Sequence, residues 1–360
     1  MFEVGKYERL GYELFLGYPD IRKKYRSFCW EFEIGFLLGL IDNFRFTDGR
    51  AINTVLELGI QDGVTSFYML KTGCGRANGG GSFELYGIDK GSTDSYGQAV
   101  LNEASKEELE HHHLYRGSTS FDIEKILGEK RIDMVFIDAA HSHPYPIIDL
   151  IHMIPFLHNE SLVLLHDVVN MEPHEWGASF IYDAWKDKKY TSVYFNDKHE
   201  ILGETALGWI KIPSDKKELY NIIEQVIEVP FRAVRWKFDD IYLGIDESHI
   251  KSLRIFMSKY YDNGFSEKIC DKLLLNLEEY KRSWMLYFNE TKFFFRLFQE
   301  SKKHSSIIND LEMKLRQLEI YVQGERDTLQ AERNALRLSF SYRIGRMLTW
   351  FPRKVRRFLR

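Results

Sequence analysis

The chain has few cysteines and few prolines, and no uninterrupted apolar run long enough to span a bilayer. Its three cysteines, Cys29, Cys74 and Cys270, are scattered and odd in number, which excludes a disulfide framework and a Cys-x-x-Cys pair and points to a reducing compartment. The N-terminus mixes charged and aromatic residues without a basic-then-apolar leader, so the expectation is a cytoplasmic protein whose membrane contact is at most peripheral. Neither a Gly-x-Ser-x-Gly elbow nor a P-loop is found, which argues against hydrolase and kinase chemistry. What is present is apolar substance: 44% of 360 residues are hydrophobic, enough for one α/β domain with additional helices.

The most informative stretch is Val55-Leu56-Glu57-Leu58-Gly59-Ile60-Gln61-Asp62-Gly63. Thr54 to Leu58 is apolar and β-branched enough for a buried parallel strand, and Gly59 lets the backbone bend close to a ligand. Gly63 opens a helix from Val64 to Lys71, whose free N–H groups face whatever lies above the strand. A dinucleotide fold prefers Gly-x-Gly-x-x-Gly here, to seat a pyrophosphate. The wider glycine spacing and Glu57, which would repel pyrophosphate but can accept hydrogen bonds from an ammonium or ribose, point elsewhere. This pattern resembles motif I of the class I S-adenosylmethionine-dependent methyltransferases, and the resemblance extends over roughly residues 30 to 212. It implies a Rossmann-like methyltransferase sheet, with Glu57, Gly59 and Gly63 at the cofactor.

Phe83 to Ile88 reads as the second strand and ends in Asp89, an acid that can take ribose hydroxyls in NAD enzymes and methyltransferases alike. Between these strands, Gly73 to Gly81 reads as a glycine-rich loop. Gln98 to His112 reads as helical, with His111, His112 and His113 at a surface helix end rather than around a metal. A third strand, His113 to Arg116, leads to Gly117-Ser118-Thr119. The resemblance puts Ser118 against the adenine, while a plain helix cap by Ser118 or Ser120 stays open beside it.

The fourth strand, Ile132 to Ile137, delivers Asp138 and His141 to its carboxyl end, and the fifth, Ser161 to Leu165, delivers His166 and Asp167 to the same edge. Asp138 and Asp167 can converge on a hard cation such as Mg²⁺, which lowers the pKa of a bound hydroxyl. His141 can then take the proton near neutral pH. The arrangement looks like the O-methyltransferases of sugars and macrolide glycosides, where an acid, two residues and a basic histidine are followed by an acidic pair on the next strand. That implies Asp138 and Asp167 as metal ligands and His141 as base. His166 stands where the first acid of the pair is expected, a better ligand for Mn²⁺ or Zn²⁺ than for Mg²⁺, and Ala140 replaces a frequent second acid. Strand-end histidines that only satisfy backbone groups remain the plain structural alternative.

The remaining chain divides by pattern. Residues 1–50 read as an N-terminal helical lid, 51–212 as the cofactor-binding domain with final strands at Tyr190 to Phe195 and Thr205 to Ile212, and 213–304 as a helical appendage rich in aromatics, including Trp236, Tyr260, Tyr261, Trp284, Phe293, Phe294 and Phe295. Residues 305–340 carry a heptad: Ile308, Leu315, Val322, Leu329 and Leu336 share one seam position, Leu311 and Leu318 the other, with Gly324 a weak point. A homo-oligomer is the favoured inference. From Arg343 to Arg360 there are seven basic residues and no acid, which leaves the rest of a chain of formal net charge −4 at −11. Such a basic amphipathic tail (341–360) suits an anionic membrane surface at the inner face of the plasma membrane, and the acidic body disfavours nucleic acid. Ser339 to Arg346 resembles the segment after coiled coils in bacterial polysaccharide-modifying enzymes.

Together these readings give an α/β methyltransferase sheet with a helical appendage and a C-terminal coiled-coil helix. The expected activity is S-adenosylmethionine-dependent methylation of a hydroxyl on a cell-surface glycan or its precursor, with a divalent metal (Mg or Mn) as an optional second cofactor. An NAD-dependent enzyme and a catalytically silent scaffold of a polysaccharide assembly complex are the other classes left open.

Overall fold

A computed structural model describes residues 4–301 except 28, 78–81, 170–175, 187–188, 232–233, 237–238 and 242–244, and beyond 301 only 315, 318, 322–329 and 331. Two helices, α1 (Lys6–Leu16) and α2 (Glu31–Asn43), precede the sheet. Strands and helices then alternate: β1 (Thr54–Leu58), α3 (Val64–Ala77), β2 (Glu84–Asp89), α4 (Gln98–Glu103), α5 (Lys106–Leu109), β3 (His112–Arg116), α6 (Ile123–Leu127), β4 (Ile132–Ile137), α7 (Tyr145–Met153), β5 (Leu157–Leu165) and α8 (Trp176–Ala184). A hairpin of β6 (Lys189–Phe195) and β7 (Ile201–Lys211) closes the sheet. Helix α9 (Lys216–Ile227), a short pair β8 (Val234–Trp236) and β9 (Asp239–Ile241), α10 (Glu247–Tyr260) and α11 (Asn263–Ser301) follow.

The strand order is β3-β2-β1-β4-β5-β7-β6. The first five strands are parallel, and β7 runs antiparallel to both β5 and β6. The order reverses between β1 and β4, and in open α/β sheets ligands bind beyond the strand ends at such a switch point. Alternating side chains along each strand feed two cores. Val55, Met134, Phe136 and Leu164 pack with α2 and α3, and Leu56, Val135, Val163 and Leu165 pack with α6 to α10. The period-two pattern thereby produces the Rossmann-like three-layer architecture, with helices on both faces.

Two local expectations change. Helix α3 continues to Ala77, so residues 73 to 77 are helical rather than loop, because Cys74 is buried and Phe83 packs into the space left beside Gly73. Residues 78–81 of that expected loop lie outside the described residues. His112 belongs to β3 rather than to the end of a helix, while His113 lies in the strand as read. The partners that hold them there are on the adjacent strand: the His113 ring stacks on Tyr86 at 4.6 Å, and His111 and His113 both contact Glu84. As expected, residues 213–280 pack on the sheet's core: Leu253, Phe256 and Leu273 share its buried cluster, and Tyr261 donates to the Ile151 carbonyl at 2.6 Å. By its contacts the chain divides into Met1–Tyr280 and Lys281–Arg360. The side chains of Trp236, Trp284 and Phe293 to Phe295 are outside those described.

The N-terminal helices pack at backbone distance. A Cβ on Gly11 would collide with the carbonyl of Gly35, and one on Gly39 with that of Tyr7. This close crossing brings the buried Glu8 to the edge strand, where it accepts hydrogen bonds from the Tyr190 hydroxyl at 2.7 Å and the Val193 N–H at 3.1 Å. In the second unit, residues 322–329 are helical straight through Gly324. The seam residues Leu315, Leu318, Val322 and Leu329 are all more than half exposed. The other heptad residues and the basic tail lie outside the described residues. Among the described residues no helix is long and apolar enough to cross a membrane.

Candidate active site

The glycine turn after β1 is built around its neighbours. Gly59 has φ +89°, and a Cβ there would collide with the Asp138 carbonyl at the end of β4. Gly63, at φ +86°, starts α3 after closing a turn onto the Ile60 carbonyl at 2.9 Å. The Asp89 carboxylate organises this turn: one oxygen accepts the N–H groups of Ile60 at 2.8 Å and Gln61 at 3.0 Å, and the other that of Gly91 at 2.8 Å. A carboxylate offers about four accepting positions, so one is left for a ligand hydroxyl while the loop stays as it is. Ser118 is half-buried beside it, its N–H on the Asp89 carbonyl at 3.0 Å. The cap of the following turn is Thr119, whose hydroxyl accepts the Phe121 N–H, while Ser120 is buried and donates to Asp149 at 2.6 Å.

Glu57 is almost fully buried, under the turn, and accepts the Ser66 hydroxyl of α3. Burial pushes its carboxyl up to about 8 against the Ser66 hydrogen bond, and the nearby charges of Asp138 and Asp89 add to the rise. Its carboxyl therefore holds a proton far more tightly than an exposed glutamate does, and a cationic ligand group brought against it would favour the charged form again.

The strand ends of β4 and β5 bring Asp138, His141, His166 and Asp167 into one cluster. His141 is hydrogen-bonded through Nδ1 to Asp167, and its Nε2 lies 3.9 Å from Asp138. Burial alone would depress the His141 pKa, but the Asp167 hydrogen bond and the charges of Asp167 and Asp138 outweigh it and raise it above the ordinary imidazole value. Asp167, at φ +59°, is held well below the usual carboxylate range: the hydrogen bond from His141 and the charge of the adjacent His166 ring overcome its burial. The Nδ1 of His166 stands 3.3 Å from Asp138 and 3.0 Å from Asp167 without an aligned hydrogen bond to either. A buried imidazole nitrogen between two carboxylates fits a cation's donor set, and Asp138, His141 and Asp167 also lie close enough together to share one ion.

Two residues of this cluster escaped the sequence reading. Glu33, in the first turn of α2, sits 3.4 Å from His166 Nε2 and accepts the N–H groups of Trp30 at 2.7 Å and Ala206 at 2.9 Å. Cys29 places its Sγ 3.8 Å from Asp138, with a thiol that burial pushes up to about 12. Cys29, Glu33 and His166 form a second, fully buried donor group. The available signal was Glu33, the second of two acids directly ahead of the polar-free run Ile34 to Ile41, where a buried carboxylate demands a partner.

Residues 56–168 match the family model of a methyltransferase domain. No curated protein matches the chain at a significant level. Among solved structures, the chain is similar to the cofactor-bound Rv0187 from MTB, at 13% identity over 55% of this chain and 88% of that one, TM-score 0.40. It is also similar to an O-methyltransferase from Bacillus cereus in complex with SAH (13%, 55% and 89%, TM-score 0.37) and to the O-methyltransferase TomG from Streptomyces achromogenes in complex with SAM (13%, 58% and 89%, TM-score 0.38). Likenesses this distant add nothing to the strand order, which carries the fold by itself. The family match and the strand order coincide over these residues: 56–168 form a methyltransferase domain carried on a Rossmann-like sheet.

Proposed function

We propose that this enzyme transfers a methyl group from S-adenosylmethionine to a hydroxyl of a cell-surface glycan or glycan precursor. The observation that carries the reading is the His141–Asp167 pair beside Asp138, at the carboxyl edge next to the glycine turn. Bound there, S-adenosylmethionine supplies an electrophilic methyl, so the protein's task is to align the acceptor oxygen and remove its proton. Asp89, Gly59, Gly63 and Ser118 hold the adenosyl half, and Glu57 shapes the floor under it. His141 Nδ1 is fixed by Asp167, which leaves Nε2 to receive the hydroxyl proton near Asp138. A divalent cation held by Asp138, Asp167 and His166 would supply Lewis-acid polarisation of the same hydroxyl, and the position of His166 Nδ1 between the two carboxylates supports that donor set.

Oligomerisation belongs to the same reading, supported by the exposed seam residues Leu315, Val322 and Leu329, and so does docking of the basic tail on an anionic membrane. The test is calorimetric titration with S-adenosylmethionine, followed by transfer of labelled methyl to a bacterial glycan extract. The wild type should bind and transfer, Asp89→Ala should bind at least tenfold more weakly (about 1.4 kcal/mol), and His141→Ala should bind normally but lose turnover. A folded wild type that does not bind the cofactor ends the proposal. Normal binding without transfer to any hydroxyl favours the scaffold instead.

A further inference from the structure

Helix α2 begins with an aromatic side chain that its cap does not use. The Trp30 N–H is held by Glu33, an interaction any residue at position 30 would make, yet the indole is 60% exposed. A lone exposed apolar side chain is ordinary on a protein surface. This one follows Cys29, which touches Asp138, and its backbone is tied through Glu33 to His166.

A second ring faces it. Tyr194 lies 6.3 Å from Trp30 between ring centroids, at 80°, and 6.1 Å from Phe32, which in turn packs on Phe195 at 5.0 Å. Because β6 runs parallel to β5, Tyr194 stands at the same edge of the sheet as His166 and Asp167. Its cross-strand partner is Gly203, where a Cβ would come within 2.8 Å of Tyr194 Cε1 and 3.0 Å of its hydroxyl oxygen. The missing side chain lets the Tyr194 ring lie across β7. Tyr261, from the aromatic-rich appendage, is by contrast buried in the core.

We propose that Trp30 and Tyr194 form the acceptor platform of this enzyme, on which a pyranose ring stacks by its apolar C–H face while one of its hydroxyls reaches Asp138 and His141. The inference rests on the hydroxyl-methylating reading above and names its acceptor subsite. Flat aromatic faces complement the axial C–H bonds of a sugar, and the carboxylate oxygens beyond them accept hydroxyls. The platform joins the lid segment to the closing hairpin, so neither element alone would recognise the ring.

The experiment is ligand-detected saturation-transfer NMR on the full chain with methyl α-D-mannopyranoside and methyl α-L-rhamnopyranoside, with cofactor affinity measured on the same samples. Wild type should bind at least one glycoside, Trp30→Ala and Tyr194→Ala should weaken it by about tenfold, and Trp30→Phe should retain most of it. Cofactor affinity should be the same in all four proteins, which separates loss of the platform from loss of the fold. Equal glycoside affinity in wild type and Trp30→Ala overturns the platform, as does a wild type that binds cofactor but neither glycoside. Trp30-dependent glycoside binding without cofactor binding keeps the platform and rejects the methyltransferase reading instead.

Discussion

At the residue scale, the reactivity of His141 is set by what surrounds it. As the base proposed above, His141 must be unprotonated to act, and Asp167 favours the protonated ring, so the rising limb of activity should lie above the ordinary imidazole value of about 6.5. Asp167→Asn keeps the shape and removes the charge, which lowers the His141 pKa. The pH profile of kcat/KM for methyl transfer should then rise at lower pH than in wild type, with a lower plateau because the ring is less firmly oriented. An unmoved limb would show that another group titrates. Glu57 illustrates the same principle in reverse: burial pushes its carboxyl towards the neutral form that a surface glutamate would leave.

At the scale of elements, the N-terminal pair is the part most exposed to a single change. Glycines 11, 35 and 39 let α1 and α2 touch through their backbones, and α1 in turn brings Glu8 to the edge strand β6. Gly39→Val would force the helices apart, at about 3 kcal/mol from overpacking. The melting midpoint should drop by roughly 5–10 °C, and limited proteolysis should cut between residues 17 and 30 sooner than in wild type. Because Trp30 and Glu33 sit at the start of α2, the same variant should weaken acceptor binding more than cofactor binding. An unchanged midpoint and digestion pattern would mean that the crossing tolerates separation.

At the scale of the whole molecule, the site residues all fall within Met1–Tyr280, whereas the exposed heptad positions fall in Lys281–Arg360. Chemistry and assembly should therefore separate. A chain ending at residue 301 should still bind S-adenosylmethionine with wild-type affinity, yet sediment as a smaller species and no longer pellet with anionic vesicles. Sedimentation velocity and vesicle co-pelleting read the two properties on the same preparation. Identical behaviour of the two chains would remove both the coiled coil and the tail as assembly devices.

Much of the sheet was legible along the chain because a buried parallel strand is a local pattern: the apolar run ending in Gly59, and those ending in Asp89, Asp138 and His166, each announce a strand and its reactive end. The sequence by itself thus determined which residues reach the carboxyl edge. It did not determine their partners. That Glu33 and Cys29, a hundred residues earlier, complete the cluster of Asp138 and His166, and that Trp30 meets Tyr194, depends on α2 lying against the β5–β7 side of the sheet. The extension of α3 past Gly73 and the strand placement of His112 were likewise settled by neighbours, Phe83 in one case and Leu85 on the adjacent strand in the other. Periodicity records how a segment is buried, whereas a contact between segments depends on where the rest of the chain has already packed, and only the tertiary structure decides that.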